Sequence, residues 1–267
     1  MRTESPMPNT LQQKLAAGEA VKLVSLRLSH HIDVVHMLKA AGFDGFYIDA
    51  EHGMYSLRDI SDLCQMAQAC GLTPWVRVHS ATVGAIGPVL DAGAQGIILP
   101  HVNSAAEAAL AVDLCRYPPQ GHRSMAALGP ASAYQRVPAK DSLVQRNAAV
   151  MVVAMIETQS GLDQAHAIAA VPGVDALMMG PMDLSLELGI PGELRHPRIL
   201  AAYAASLKAA VAAGKHFVCG DAGGPPVAQL VAQGARILLG SNDANYLLQA
   251  LTQAAQTLDR EAQVSGS

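Results

Sequence analysis

Eight short apolar runs, each followed by a longer alanine-rich segment, constrain the fold of this chain more than any other sequence feature. Regular alternation of this kind predicts repeated βα units whose strands form a parallel sheet. The predicted strands are Val21–Leu28, Gly45–Asp49, Thr73–Val78, Gly96–Pro100, Val150–Glu157, Ala176–Gly180, His216–Gly220 and Arg236–Gly240.

The segments between these runs place apolar residues at helical spacing. They are Ile32–Ala41, Ser56–Cys70, Val83–Ala92, Ala105–Arg116, Gly161–Ala170, Pro197–Ala213, Pro225–Gln233 and Ala244–Leu258. Several stop at a glycine that can take the left-handed conformation, among them Gly42, Gly71 and Gly214. Eight βα units in 267 residues predict a closed (β/α)8 TIM barrel that forms a single domain over residues 1–267. A doubly wound open sheet is the alternative, and the lack of a GxGxxG motif after the first strand disfavours it.

Composition and charge limit the classes of function. Charged residues make up 15% of the chain and the net charge is −4, so a basic surface that neutralises several phosphates is not expected. So few charges predict that another subunit covers part of the surface, and hence a homo-oligomer. No run approaches about 18 uninterrupted apolar residues, and the first twenty residues lack the apolar core of a signal peptide. We therefore expect a cytoplasmic protein that binds neither nucleic acid nor membrane.

One long irregular segment interrupts the alternation of strands and helices. Residues 117–147 lie between the fourth and fifth units and contain prolines at four positions. Loops longer than about 15 residues in compact domains usually serve a function. We predict that this segment overhangs the mouth of the barrel.

Carboxylates follow two neighbouring strands at the end where barrels of this kind carry their chemistry. Glu157 ends the apolar run Val150–Ile156, where an ionised carboxylate is costly unless a cation compensates it. Asp183 follows the next strand, so both side chains are expected to point to one place. Their hard oxygen atoms favour Mg²⁺, Mn²⁺ or Co²⁺, with substrate and water completing the coordination and without an organic cofactor. The alternatives are a salt bridge from Glu157 to an arginine and an N-cap role for Asp183.

His52 and Arg77 are the predicted proton-transfer and charge-stabilising groups. Histidine is the usual general base near neutral pH, although His52 could also be a surface residue in a turn. Arg77 points either into the mouth, where its guanidinium would meet a carboxylate or a developing enolate, or outward under a helix. None of the six lysines ends a predicted strand, which argues against a Schiff-base mechanism. Position alone suggests that His101 and Arg123 line the mouth.

Six motifs occur in order along the chain. They are Phe43–Gly53 (FDGFYIDAEHG), Val76–Arg77, Leu90–Pro100 (LDAGAQGIILP), Arg116–Arg123 (RYPPQGHR), Met155–Glu157 (MIE) and Gly180–Ser185 (GPMDLS). Together they resemble the HpcH/HpaI family of metal-dependent class II pyruvate aldolases, over a stretch from about Leu11 to Leu251. The resemblance implies a (β/α)8 barrel that assembles as a hexamer, with a C-terminal helix exchanged between subunits.

The resemblance also implies roles for individual residues. Glu157 and Asp183 would bind the metal, His52 would be the base, and Arg77 would stabilise the oxyanion. Asp91 would orient the catalytic histidine of a neighbouring subunit.

Further positions match residues around the metal and the donor substrate. Asp49 and Glu51 match positions near metal-bound water, which orient the metal ligands. Met155 stands where some members have a glutamine, and Met182 replaces an alanine, so both affect donor specificity and pocket volume. The predicted substrate contacts are Arg77, Met155, Pro181 and Met182, with backbone N–H groups around Met182 holding the donor carboxylate.

These expectations describe a lyase that reversibly cleaves a 4-hydroxy-2-oxo acid to pyruvate, or a similar 2-oxo acid, and an aldehyde. His52, directly or through a water, would remove the proton of the 4-hydroxyl group, and Arg77 would stabilise the enolate that forms. The alternatives on the same scaffold are decarboxylation of oxaloacetate and a citrate-synthase-like condensation with a thioester. A non-catalytic protein that binds 2-oxo acids is the alternative from another class.

Overall fold

Eight parallel strands form a closed barrel in which each strand pairs with its neighbours in chain order. The structure is a computed structural model that describes residues 9–126, 128–134, 138–220 and 223–264. The strands are β1 (Val21–Leu26), β2 (Gly45–Asp49), β3 (Thr73–Arg77), β4 (Gly96–Leu99), β5 (Met151–Ile156), β6 (Ala176–Met179), β7 (His216–Gly220) and β8 (Ile237–Asn242). The predicted (β/α)8 barrel is confirmed. β1 ends two residues earlier than predicted because the amides of Arg27 and Leu28 donate to the Asp243 carboxylate.

Helices surround the barrel and close its amino-terminal end. They are α1 (Thr10–Ala16), α2 (Asp33–Ala40), α3 (Leu57–Ala69), α4 (Val83–Asp91), α5 (Ala105–Cys115), α6 (Ala139–Ala149), α7 (Gln159–Asp163), α8 (Ala165–Ala169), α9 (Pro181–Glu187), α10 (Pro197–Ala212), α11 (Val227–Ala232) and α12 (Asp243–Val264). The helix predicted over Gly161–Ala170 is two short helices that meet at Gln164. The sequence analysis did not predict α1, α6 and α9.

Alternate residues of each strand face two separate buried clusters. One cluster lies between the sheet and the helices, and it includes Phe46 and Ile48 of β2. The other fills the barrel interior, where Trp75 of β3 packs against the backbone of Gly96 on β4. A β-carbon at Gly96 would overlap the indole ring, so the glycine leaves the space that this large side chain occupies.

The helix α1 closes the amino-terminal end of the barrel. Its Leu11 and Leu15 are buried in the interior cluster. Asn9 caps the helix through its side chain and also donates to the carbonyl of Ala149, 2.8 Å away. The amide of Leu11 donates to the hydroxyl of Thr73, the first residue of β3. The barrel interior is therefore covered from below, and it opens at the carboxyl ends of the strands.

The segment after α5 lies at this same amino-terminal rim. Arg116 donates to the carbonyl of Val150, just before β5, and pairs with Asp175, just before β6, at 2.9 Å. The turn at Pro130–Ser132 lies beside the carboxyl-terminal end of α3. Within one chain, the described part of residues 117–147 therefore lies at the rim opposite to the predicted one. The reason is the chain direction. The helix α5 runs antiparallel to the strands and ends at the amino-terminal rim, so the segment that follows it begins at that rim.

The helix α12 projects apolar side chains into solvent. Its Leu248, Leu251 and Leu258 are 66%, 58% and 66% exposed, and its contacts within the chain are chiefly with β1 and β8. The outer part of β8 is correspondingly only half-buried. In the part of the chain that the structure describes, no helix combines the length and apolar character needed to span a bilayer.

Candidate active site

The carboxyl ends of the strands surround a cavity of about 540 Å³. This position is the usual place for catalysis in a (β/α)8 barrel. Among its lining residues are six that the sequence analysis singled out, namely His52, Arg77, Met155, Pro181, Met182 and Asp183. Asp49 and Glu51 form ion pairs with the lining residue Arg77, and His101 connects Glu51 to Glu157.

Arg77 points into the barrel and forms a two-bond ion pair with Asp49. The two residues lie side by side in the β2–β3 register, and the guanidinium donates Nε and Nη2 to the carboxylate at 2.9 and 2.5 Å. Nη1 lies 3.2 Å from Glu51. Burial alone would raise the pKa of Asp49, but the bonds and charge of Arg77 outweigh it and lower that pKa. Asp49 in turn raises the pKa of Arg77, so the pair stays ionised.

Arg27 is a cavity residue that the sequence analysis missed. Its Nε lies 2.7 Å from Asp49, so this carboxylate carries two guanidinium groups. Leu26 pairs with Ile48 in the β1–β2 register, and Arg27 and Asp49 follow at the same level. The sequence does show a cation, Arg27, inside the run Val21–Leu28. The direction of its side chain depends on the pairing of β1 with β2, which the sequence does not show.

Glu157 is almost completely buried and only one of its oxygens is bonded. Oε1 accepts the amide of His101 at 2.6 Å and lies 3.1 Å from the His101 ring. Oε2 is buried without a partner among the described residues. Burial, with the charges of Asp183 and Glu51, raises the pKa of Glu157 to about 7. The alternative of a salt bridge from Glu157 to an arginine does not appear in the described residues.

Asp183 lies in the first turn of the short helix α9. Pro181 is the first residue of that helix, where its fixed φ and missing N–H are tolerated. Gly180, before it, leaves room for Glu157, because a β-carbon there would overlap Oε2 and lie 2.6 Å from the Glu157 Cβ. The Asp183 carboxylate accepts no hydrogen bond from the described residues and lines the cavity. It is therefore not an N-cap, and it lies near enough to Glu157 for its charge to raise the pKa of that carboxyl.

The carboxylates of Glu157 and Asp183 fit a hard divalent cation as two of its ligands. The unpartnered Oε2 of Glu157 and the unbonded Asp183 are oxygen donors of the kind that Mg²⁺ and Mn²⁺ prefer. Over the described residues, no group of three or more His, Cys, Asp or Glu side chains is arranged to hold a metal. An ion bound here would thus take its remaining ligands from substrate and water.

His52 and His101 flank Glu51 at the rim of the cavity. The backbone amide of His52 donates to Asp49 at 3.2 Å, and its half-exposed ring lies 3.9 Å from Glu51. His101 lies 3.3 Å from Glu51 on the other side, and its left-handed φ of 53° brings its backbone and ring onto Glu157. His52 lines the cavity directly, whereas His101 lies next to Glu51 and Glu157.

Asp91 and Arg123 lie away from this cavity. Asp91 is the last residue of α4, at the amino-terminal rim, and Arg123 pairs with it at 2.8 Å. The Arg123 guanidinium is buried and stacks 4.7 Å from the centre of the Tyr117 ring. Arg123 was expected at the mouth, but within one chain it lies at the opposite rim because it follows α5.

The expected substrate contacts occupy one side of the cavity. Met155 is buried, with its sulfur 3.9 Å from Nη1 of Arg77. Met182 is 52% exposed and borders the opening. Pro181 lies between them and Asp183 in the lining of the cavity. The two methionines therefore set the width of the cavity next to the carboxylates.

Known proteins resemble this chain in sequence and in fold. The family model of HpcH/HpaI aldolase/citrate lyase matches residues 26–245. The 4-hydroxy-4-methyl-2-oxoglutarate aldolase of Hapsidospora irregularis is 43% identical over 196 residues, or 73% of each chain. The 4-hydroxy-2-oxo-heptane-1,7-dioate aldolase of Salmonella dublin is 35% identical over 210 residues, 78% of this chain and 79% of that one. The crystal structure of an HpcH/HpaI aldolase from Desulfitobacterium hafniense has a TM-score of 0.88 at 31% identity, covering 94% of this chain and 96% of that chain. This barrel belongs to the HpcH/HpaI aldolase/citrate lyase family.

Proposed function

We propose that this protein is a divalent-metal-dependent aldolase that reversibly cleaves a 4-hydroxy-2-oxo acid to pyruvate, or a similar 2-oxo acid, and a carbonyl fragment. The observation that carries the proposal is the buried, unpartnered Oε2 of Glu157 beside the Asp183 carboxylate. An uncompensated buried carboxylate oxygen is costly, and a cation removes that cost. The aldolase names of the two relatives support the same class of reaction.

Glu157 and Asp183 would hold the divalent ion, whether Mg²⁺, Mn²⁺ or Co²⁺. A bound ion supplies positive charge that stabilises the negative charge developing on the substrate. Asp49 and Glu51 would act indirectly, since they fix Arg77 and His101 beside the two ligands. The donor carboxylate would accept from the N–H groups of Met182 and Asp183, next to Pro181 and Met155.

The chain itself would supply the proton transfer and the second positive charge. In cleavage, His52 removes the proton of the 4-hydroxyl group, and the C3–C4 bond breaks as the carbonyl fragment forms. The electron pair of that bond moves into the C2–C3 bond and onto the 2-oxo oxygen, where Arg77 stabilises it. His52 then returns the proton, directly or through water, to C3, which gives the 2-oxo acid and restores the neutral histidine. Arg77 is already aligned for this role by its two bonds to Asp49.

The assembly proposed is a homo-oligomer, a cytoplasmic hexamer in which α12 packs on a neighbouring subunit. The exposed leucines of α12 support this proposal, because they form an apolar surface that the described residues leave open to solvent. Asp91 would then orient His52 of a neighbouring subunit, with Arg123 holding the Asp91 carboxylate at 2.8 Å.

The proposal is tested by a cleavage and condensation assay on the EDTA-treated protein. Pyruvate and hydroxypyruvate are offered with a panel of aldehydes, and Mg²⁺, Mn²⁺ or Co²⁺ is then restored. We expect condensation and cleavage only after an ion is added. Undiminished turnover after exhaustive chelation would contradict metal dependence. Release of CO₂ from oxaloacetate without any aldol product would instead indicate a decarboxylase.

A further inference from the structure

The cavity has two chemically different ends. Asp183 and the two methionines border one end, next to β5 and β6. Arg27, Ser241, Asn242 and Asn245 border the other, where β8 adjoins β1. In a closed barrel of eight strands in chain order, β1 and β5 are opposite each other. A three-carbon donor at the carboxylate end therefore leaves the β8–β1 end for the other part of the substrate.

Arg27 presents a guanidinium edge to this second end. Its side chain is 40% exposed, and its Nε is paired with Asp49 at 2.7 Å. In the described contacts, its terminal amino groups have no protein partner, while the side chain lines the cavity. A guanidinium fixed at Nε keeps the rest of its planar fork available, and this geometry matches a carboxylate.

The backbone of Arg27 is also fixed in place. The carboxylate of Asp243, the first residue of α12, accepts the amides of Arg27, Leu28 and Ser29 at 2.8, 3.2 and 2.7 Å. Arg27 is thus held at its backbone by Asp243 and at its side chain by Asp49. Such preorganisation lowers the entropy cost of binding a ligand.

The side chain of Arg27 has no acidic partner of its own among the described residues, because it shares Asp49 with Arg77. Asp49 is shared, because it accepts two bonds from Arg77 and pairs with Arg27 through the same Oδ2 atom. Glu51 lies near Arg77, at 3.2 Å, and contributes to that guanidinium. Among the described residues that line the cavity, the acidic one is Asp183, at the far end. Asp243 also lies at this end, but its carboxylate is occupied by the three backbone amides described above, so the free edge of the Arg27 guanidinium is the group here that would receive an anion.

We infer that Arg27 binds a carboxylate on the carbonyl fragment, so that the preferred partner of the donor is an oxo acid rather than an uncharged aldehyde. This assignment rests on the proposed function and specifies its second substrate. Arg27 is a specificity-determining residue here, since the carboxylate that it contacts lies away from the bond that forms or breaks.

The test compares two acceptors of equal carbon number, glyoxylate and glycolaldehyde, in condensation with pyruvate. The measured quantity is the ratio of kcat/KM for glyoxylate to kcat/KM for glycolaldehyde. We expect Arg27→Gln to lower this ratio about 10- to 100-fold, the range for a hydrogen bond to a charged group. Arg27→Lys should lower it less, because it keeps a cation beside Asp49. Arg58→Gln is the matched control, since that arginine is 90% exposed on α3 and outside the cavity lining, and it should leave the ratio unchanged.

Three results would overturn the assignment of Arg27 while leaving the proposed function standing. One is an unchanged kcat/KM with both acceptors in Arg27→Gln. Another is an equal loss with both acceptors, which would mean that Arg27 serves only to hold Asp49. The third is a rise in the KM for pyruvate without a change in the ratio, which would place Arg27 on the donor.

A donor-only assay separates these results from failure of the proposed function. Deuterium exchange at the pyruvate methyl group, in D₂O with Mn²⁺, needs no acceptor. Exchange by the unmodified protein together with a changed ratio in Arg27→Gln supports both proposals. If the unmodified protein shows neither exchange nor condensation, the proposed function is overturned, and the acceptor assignment with it. If Arg27→Gln does not fold, Arg27→Lys decides the question by the same ratio.

Discussion

At the scale of single residues, the site is built around groups that cost stability in the isolated chain. One buried oxygen of Glu157 has no partner among the described residues, and burial raises the pKa of this carboxyl to about 7 because it disfavours the charged form. A structural residue in this position would have a partner for each oxygen. The cation proposed above would remove this cost and would therefore stabilise the folded protein.

The replacement Glu157→Gln measures that cost directly. A carboxyl whose folded pKa lies above its unfolded value loses stability as pH rises from the unfolded to the folded pKa. In EDTA, we expect Glu157→Gln to be more stable than the parent by about 1 to 3 kcal/mol at pH 8, and equally stable near pH 4. Urea unfolding at both pH values checks this. Added Mn²⁺ should make the parent more stable than Glu157→Gln at pH 8. A difference in unfolding free energy that does not depend on pH would contradict a raised pKa for Glu157.

Arg77 is predicted to act mainly on the rate. Removal of a donor that stabilises a developing oxyanion lowers kcat by about 10²- to 10³-fold. We expect Arg77→Ala to show a loss of this order in cleavage, or about 3 kcal/mol in the barrier. Arg77→Lys keeps a charge near Asp49 but loses the two-bond geometry, so it should recover only part of the rate. An unaltered kcat in Arg77→Ala would remove this residue from the mechanism.

At the scale of elements, the junction between β6 and α9 brings Asp183 to Glu157. Gly180 permits this approach, because an added β-carbon would lie 2.6 Å from the Glu157 Cβ and 2.8 Å from the Met155 methyl group. Pro181 then starts α9 at once, so Asp183 falls within its first turn. The sequence Gly180–Asp183 thus places the Asp183 carboxylate, after β6, near Glu157, which follows the neighbouring strand β5.

The replacement Gly180→Ala tests this junction. Overpacking of this kind costs about 1 to 3 kcal/mol, and we expect a weaker affinity for Mn²⁺ because Glu157 must move. Thermal unfolding and metal titration by calorimetry measure the two effects. Gly84→Ala is the control, because Gly84 lies in α4 with open space around it, so alanine there should be neutral or stabilising. Unchanged metal affinity in Gly180→Ala would argue against Glu157 as a ligand.

The same scale explains which elements could be predicted from the sequence. The six residues of β5 are all buried, so they form an uninterrupted apolar run that is visible without the structure. The short helix α1 has two buried leucines in seven residues and depends on the barrel that it covers. The helix α9 begins with a proline that also suits a turn. Such elements are stabilised by tertiary contacts, which local patterns do not contain.

The candidate site also contains some residues that the sequence could indicate and others that it could not. Glu157 and Asp183 could be predicted because each follows an apolar run at the catalytic end of a barrel. Arg27 could not, since its position depends on the pairing of β1 with β2 and on Asp243, which lies 216 residues later. Asp91 and Arg123 could be paired only once the direction of α4 and α5 was known.

At the scale of the whole molecule, the cavity and Asp91 lie at opposite ends of the barrel. The cavity opens at the carboxyl ends of the strands, while Asp91 lies at the amino-terminal rim. A single chain therefore does not bring Asp91 to its own His52. The proposed oligomer resolves this separation if one subunit places Asp91 at the mouth of the next.

Subunit mixing tests that arrangement. Asp91→Ala and His52→Ala are each expected to be nearly inactive alone. After dissociation and random reassembly of an equal mixture, about a quarter of the sites combine His52 from one parent with Asp91 from the other, because each residue is present with a chance of about one half. Activity should return to that fraction. No recovery, with reassembly verified by mass measurement, would contradict a shared site.

The exposed leucines of α12 are expected to hold the oligomer together. Replacing both Leu248 and Leu251, which are 66% and 58% exposed, with glutamate places charges on this apolar face. We expect a smaller assembly by light scattering, with an unchanged circular dichroism spectrum. The same double change at Leu110 and Val144, exposed residues elsewhere on the surface, is the control. An assembly of unchanged size would show that α12 does not form the interface.

The floor of the barrel, formed by Leu11 and Leu15 of α1, also has a kinetic consequence. Because the interior is covered at that end, both cleavage products must leave by the same opening through which the substrate entered. In the proposed reaction the 2-oxo acid lies nearer Glu157 and Asp183, so we expect it to depart after the carbonyl fragment. Steady-state inhibition should follow this order, with pyruvate competing against the substrate and the carbonyl fragment acting as a mixed inhibitor.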